Sequence, residues 1–193
     1  LNSDDIKIVT LEDPVEYQLP GLNQVQVHPE IGFDFSAGLR SVVRQDPDVI
    51  MVGEIRDQVT CQIAMQAALT GHLVFSTVHT NDAPSAYTRV LDLGVAEFLL
   101  DAALVSIIAQ RLVRKLCDKC STPAPDAKTL IDQYHLKGLA KSAGVEHMDL
   151  RHPVGCEHCG GAGYSGRVAV IEYLRCDENI RSIPKDDQFL MKV

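Results

Sequence analysis

The sequence predicts an α/β protein built on a parallel sheet, with a small tetracysteine zinc-binding insertion. Three observations carry that expectation. Short, β-branched apolar runs recur at 6–11, 48–52 and 73–77, and helix-like segments separate them. Each run ends in polar residues able to do chemistry, which is where parallel α/β sheets bind ligands. Two Cys-x2-Cys pairs follow later in the chain.

The first run, 6–11, reads as a buried strand that stops at Glu12-Asp13-Pro14. Residues 17–28, with Pro20-Gly21 at their middle, read as a hairpin. Leu39, Val42 and Val43 give a helical face after Ser36, and Pro47 ends it. The second strand, 48–52, leads straight into Gly53-Glu54-Ile55-Arg56-Asp57. A helix over 58–69 is closed by Gly71. The third apolar strand, 73–77, ends in Val78-His79-Thr80-Asn81; Asp82 can cap the next helix, Pro84 fits its first turn and Gly94 its end.

Leu99, Leu100, Ala103, Ile107, Ile108 and Leu112 form a stripe at helical spacing that runs into Cys117. Leu130, Ile131 and Tyr134 predict a small helical insertion within 126–143, and 167–174 reads as a returning strand. Three parts are expected: an α/β part over 1–116, a tetracysteine subdomain over 117–160, and a return strand with a short carboxyl-terminal segment over 161–193.

Composition bounds the function. The chain has 193 residues, 46% apolar and 23% charged, which excludes disorder and leaves about 70% of the unfolded surface to be buried. The longest membrane-span candidate, 95–113, is broken by Glu97, Asp101, Gln110 and Arg111. Leu1-Asn2-Ser3-Asp4-Asp5 lacks the basic start of a secretory signal, and the chain reads as an excised fragment. A net charge of -8 argues against nucleic acid as a partner. The local run Arg111, Arg114, Lys115 and Lys119 would suit an acidic partner or an anionic membrane surface; its plain reading is a solvated helix end.

Cys117-x2-Cys120 and Cys156-x2-Cys159, separated by 35 residues, have the spacing of two knuckles that aim four thiolates at one tetrahedral Zn2+. Four thiolates leave no open position, so the metal is expected to be structural. Cys61 and Cys176 sit alone in apolar segments as buried thiols do, and His158 reads as a solvent-facing loop residue. The strand-end acids and histidine suit a nucleoside triphosphate and its Mg2+, although no G-x-x-x-x-G-K-[ST] occurs and none of the eight lysines follows a glycine.

Longer motifs then connect. Leu11-Glu12-Asp13-Pro14-Val15-Glu16-Tyr17 resembles the aspartate box of the type II secretion and type IV pilus ATPases. The stretch from Arg44 through Val49-Ile50-Met51-Val52-Gly53-Glu54 to Asp57 resembles their Walker B region. Thr70-Gly71-His72-Leu73 through Ser76-Thr77-Val78-His79-Thr80-Asn81 resembles their histidine box. The resemblance covers about 7–173 and includes the paired cysteines.

What it implies is the RecA-like P-loop NTPase core, incomplete here, of a homo-hexameric, ATP- and Mg2+-using motor. Such a motor lies peripherally on the cytoplasmic face of the inner membrane, working with inner-membrane platform proteins to drive pilin or pseudopilin assembly. By the same resemblance Glu12 would orient the attacking water, and Glu54 would be the Walker B acid acting through Mg2+. His72 and His79 would contact phosphates, while Asp13, Arg56 and Asp57 would shape the site. The tetracysteine element favours a secretion or pilus-assembly member, GspE-like or PilB-like. The family's phosphate loop lies upstream of the region matching Leu1, so this chain alone is expected to hydrolyse ATP negligibly. The competing expectation is a non-catalytic zinc-containing docking module.

Overall fold

The computed structural model describes residues 1–186 and 188–193, which fall into two compact units: Leu1–Ala109 with Glu172–Val193, and Gln110–Ile171.

In the first unit, strands β1 (Ile8–Glu12), β2 (Asn23–Gln26), β3 (Val49–Val52) and β4 (Leu73–Ser76) form one sheet in the order β2-β1-β3-β4, parallel throughout. β1 is buried from Ile8 to Leu11, as a strand covered on both faces must be, and this explains its unbroken apolar run. Helix α1 (Phe35–Val42) packs on β1 and β3, and α2 (Gln58–Leu69) packs beside α1 and β4. Val9, Leu11, Leu39, Ile50, Val52 and Leu100 are fully buried between these layers.

The caps are local and legible. Asp34, Asp57 and Asp82 each accept a backbone N–H of the following turn, opening α1, α2 and α3 (Ala83–Asp92). The helix over 58–69 has the expected bounds, and Gly71, at φ 107°, supplies the left-handed turn after it. The cap of α1 is Asp34, two residues before Ser36, because Asp34 Oδ1 reaches both the Ala37 N–H at 2.8 Å and the Ser36 hydroxyl.

Two expectations are corrected, and the third strand shows a feature of its own. Residues 17–28 do not form a hairpin: only β2 forms, and it joins β1 in parallel. The Gln24 side chain takes the opposing role, accepting the Leu19 N–H at 2.7 Å and donating to Tyr17 O at 2.9 Å. The third apolar strand forms as β4, the last strand of the sheet, and there Leu73 and Phe75 remain over 40% exposed, at 44% and 46%. The stripe from Leu99 to Leu112 is not one helix. Helix α4 (Glu97–Ala103) stops, and strand β5 (Ser106–Leu116) takes over and pairs with a distant partner. The β-branched Val105 and Ile107-Ile108 favour extended backbone, and a long-range pairing decided it.

The second unit contains a short antiparallel pair, β6 (Thr122–Pro123) with β7 (Arg151–His152). Between them the predicted insertion is two helices, α5 (Ala127–Gln133) and α6 (Leu136–Ser142), broken where His135 adopts φ 52°. The returning strand β8 (Tyr164–Arg175) is longer than predicted and pairs with β5; the unit boundary falls within both strands. Of the basic run, Arg111, Arg114 and Lys115 lie on β5 rather than at a helix end, Lys119 follows the strand, and Arg114 sits 3.9 Å above the Tyr164 ring. Among the described residues, no helix is long and apolar enough to cross a membrane.

Candidate functional site

The carboxyl ends of β1, β3 and β4 open on one cavity of about 310 Å³, lined by Glu12, Asp13, Gly53, Glu54, Thr77 and His79 among others. Parallel pairing brings them together: with Leu11 opposite Val52 and Val52 opposite Ser76, the residues that follow leave the sheet on the same side.

Gly53 makes the crowding possible. Its N–H donates to Leu11 O at 2.7 Å, and a Cβ there would stand 3.0 Å from that same carbonyl. The Thr77 hydroxyl donates to Gly53 O at 2.6 Å and Thr77 O accepts the Ile55 N–H at 3.0 Å, tying the exits of β3 and β4.

Glu12 is held from two sides. Its Oε1 accepts the Thr10 hydroxyl at 2.5 Å and the Gln24 amide at 2.9 Å. Thr10 was findable from sequence, since residues two apart on a strand share a face. Gln24 was not, because the β1–β2 pairing is set by the fold.

Glu54 is the most constrained acid. Its side chain is 12% exposed, and Oε2 lies 2.5 Å from Arg56 Nε and 3.3 Å from His79 Nε2. Those are ion-pair distances, yet Oε2 is out of reach of solvent and takes no well-aligned hydrogen bond. Oε2 is thus compensated by the Arg56 guanidinium and faced by the His79 ring, which holds the acid in the cavity wall. Asp13, joined to Pro14 by a cis peptide bond, lines the cavity. Asp57 faces away as the cap of α2, accepting the Thr60 N–H at 2.8 Å and the Thr60 hydroxyl at 2.7 Å.

His72 is not brought to this cavity. It precedes β4 at the opposite end from His79, about 10 Å of strand away. Its Nδ1 donates to Ala67 O at 2.9 Å, which pins the ring to the end of α2.

The second cluster is the four cysteines. All four Sγ atoms lie within 4.8 Å of one another. The Cys117–Cys156, Cys120–Cys159 and Cys156–Cys159 separations are 3.9, 3.9 and 3.8 Å. A tetrahedron of Zn–S bonds near 2.3 Å has edges of about 3.8 Å, so the set fits zinc. Backbone N–H groups of Cys156 and Gly163 donate to Cys159 Sγ at 3.2 and 3.1 Å, and that of Gly155 to Cys120 Sγ at 3.3 Å. The donors at Cys159, that of Cys156 first, pull its thiol down to about 6, whereas desolvation pushes Cys120 up to about 11. Glycine is required at 155 and 163, where a Cβ would stand 2.5 Å from Gly161 O and from Pro153 Cβ.

A parallel α/β sheet with two acids and a histidine beyond its carboxyl ends belongs to the α/β class whose ligand sites lie at that edge of the sheet. The particular family follows from comparison: residues 1–190 match the type II/IV secretion system protein family, and the chain belongs to it. It is 51% identical over 173 residues to the type IV pilus assembly ATPase PilB of Thermus thermophilus, covering 89% of this chain and 19% of that protein. It is 47% identical over 182 residues to the type II secretion system protein E of Dickeya dadantii, covering 94% and 35%. Among solved structures it resembles the pilus retraction motor PilT with bound ADP, at TM-score 0.54 and 34% identity, covering 74% of this chain and 46% of that one. It also resembles the ATPase DotB of Yersinia pseudotuberculosis, at TM-score 0.63 and 25% identity, covering 96% and 40%. The chain thus spans about a fifth to a third of the curated relatives' length.

Proposed function

We propose that this chain is the Walker B and histidine-box part of an ATP-hydrolysing motor of type II secretion or type IV pilus assembly. In this reading the core is RecA-like, and the intact protein works as a homo-hexamer peripheral to the inner membrane. From the cytoplasmic side it powers pseudopilin or pilin assembly through platform proteins. The observation that carries it is the convergence of Glu12, Glu54 and His79 on one cavity, with Glu54 Oε2 buried between Arg56 and His79.

Glu54 would hold Mg2+ or its waters, and Mg2+ when bound neutralises the phosphate charge. Glu12, fixed by Thr10 and Gln24, accepts a hydrogen bond from the attacking water and orients it. His79 reaches toward the phosphates from the loop after β4, and Arg56 holds the Glu54 carboxylate in place. His72 would serve a phosphate only if another subunit or a rearrangement brought one to it; within this chain it secures the turn before β4. Cys117, Cys120, Cys156 and Cys159, whose sulfurs lie within 4.8 Å of one another, would hold a structural Zn2+ that ties the second unit together.

The test is Mg2+-dependent ATP turnover, with zinc content, for this chain and for the same protein extended upstream through a phosphate loop. Turnover in the extended form alone, lost on Glu54→Gln, with about one zinc per chain in both, is the expected result. A folded extended form that stays inactive at all concentrations and with anionic vesicles would overturn the motor reading and leave a zinc-containing docking module.

A further inference from the structure

Helix α3 begins directly after the His79 loop, and it is gripped from outside the cavity. The Ala83 N–H donates to Glu172 Oε2 at 2.9 Å. One turn on, Tyr87 is fully buried and its hydroxyl donates to Asp101 Oδ1 of α4. The Tyr87 ring lies 5.2 Å from the Phe189 ring and 5.3 Å from Lys185 Nζ. Phe189 and Lys185 belong to the segment after β8, which folds as α7 (Glu178–Ser182) and α8 (Phe189–Lys192).

Lys185 is seated as few lysines are, with its side chain 4% exposed. Nζ donates to the carbonyls of Ile180, Arg181 and Ile183 at 3.0, 2.9 and 2.7 Å, using all three protons on the end of α7. Among the described residues, the ammonium also faces the Tyr87 and Phe189 rings and, at 3.9 Å, Glu97 of α4. Apolar packing alone would seat this segment without a buried charge. The ammonium adds direction: its protons are held by the end of α7, and its charge faces both rings and Glu97, so seating it brings α7, α8, Tyr87 and α4 together.

His79 shows why that matters at the cavity. Its side chain is 86% exposed, so its position is set by its loop more than by its own packing. That loop is tied to β3 through Thr77 at one end and enters α3 at the other, where Asp82 caps the helix by accepting the Ser85 N–H at 2.7 Å. We infer that Tyr87 and Lys185 form a positioning hub for the candidate site. With the segment 177–193 seated, the hub fixes α3 and thereby the loop that carries His79; with it released, α3 and His79 loosen together. Only the consequence for ATP chemistry rests on the proposed role of His79.

The decisive measurement is amide hydrogen exchange over 77–90, with the His79 ring resonances, in this chain carrying Lys185→Met. Lys192→Met is the control, since among the described residues that lysine of the same segment pairs with Asp186, at 3.3 Å, and not with α3, α4 or Tyr87. Lys185→Met should raise exchange over 77–90 about tenfold and move the His79 resonances, while Lys192→Met leaves both unchanged. Faster exchange confined to 177–193, with His79 unmoved, would overturn the hub. If Lys185→Met does not fold, Tyr87→Phe, which removes only the bond to Asp101, is read by the same criteria. A confirmed hub together with full turnover of the intact protein bearing His79→Ala would instead refute the role given to His79 and leave the hub standing.

Discussion

The two units are stabilised by different physics. The first, Leu1–Ala109 with Glu172–Val193, encloses an apolar core around Val9, Leu11, Leu39, Ile50 and Tyr87, and carries nine basic against twenty acidic residues. The second, Gln110–Ile171, carries nine basic against six acidic residues, and its only buried hydrophobic side chain among the described residues is that of Cys117. A unit of that size with almost no core needs a staple, and the four thiols are placed to provide one. Chemistry that needs rigid positioning falls on the first unit, where strand ends and caps are fixed by burial. The second would tolerate exposed helices with coordination by the four thiols as its anchor.

The sharpest way to break this contrast is to remove the metal. A strong chelator, or Cys117→Ser, should unfold the second unit and leave the first protected in hydrogen exchange, since zinc sites of this kind supply roughly 10–16 kcal/mol of apparent binding energy. Alkylation at pH 8 reads the same event residue by residue. The four ligands should become reactive, while Cys61 and Cys176, whose thiols burial pushes up to about 11, stay unmodified in the folded first unit. Protection of 110–171 without metal would defeat the comparison.

The reverse cut is Leu39→Ala, at a fully buried position of α1. It should destabilise the first unit by about 2–5 kcal/mol in urea titration, with zinc content unchanged. A smaller effect is expected from Asp57→Ala, which removes the cap of α2: about 1 kcal/mol in the same titration, again without touching zinc. If Asp57→Ala released zinc, the units would not be energetically separate.

Much of the first unit was legible because its signals are local. Asp57 and Asp82 announce their helices, and β1 and β3 read as buried strands because their apolar runs are unbroken. The misreadings fall where partners are distant. Residues 107–112 have helical spacing and β-branched composition at once, and pairing with β8 chose the strand. Residues 17–28 lost their hairpin to β1 and to the Gln24 amide. At the site, Glu12, Glu54 and His79 were visible as strand-end residues, but the Gln24 support of Glu12 and the separation of His72 from the cavity were not.

The sequence by itself determined the strand–helix alternation, the capped helix starts, the acidic strand ends and the spacing of the four cysteines. All of these depend on residues a few positions apart, or on ligand chemistry that fixes its own spacing. Only the tertiary structure decided which strand lies at the sheet's edge, which ends converge on the cavity, and that Lys185 turns inward onto Tyr87. Those outcomes depend on contacts between residues far apart in the chain, and a local pattern holds no record of which distant partner will be there.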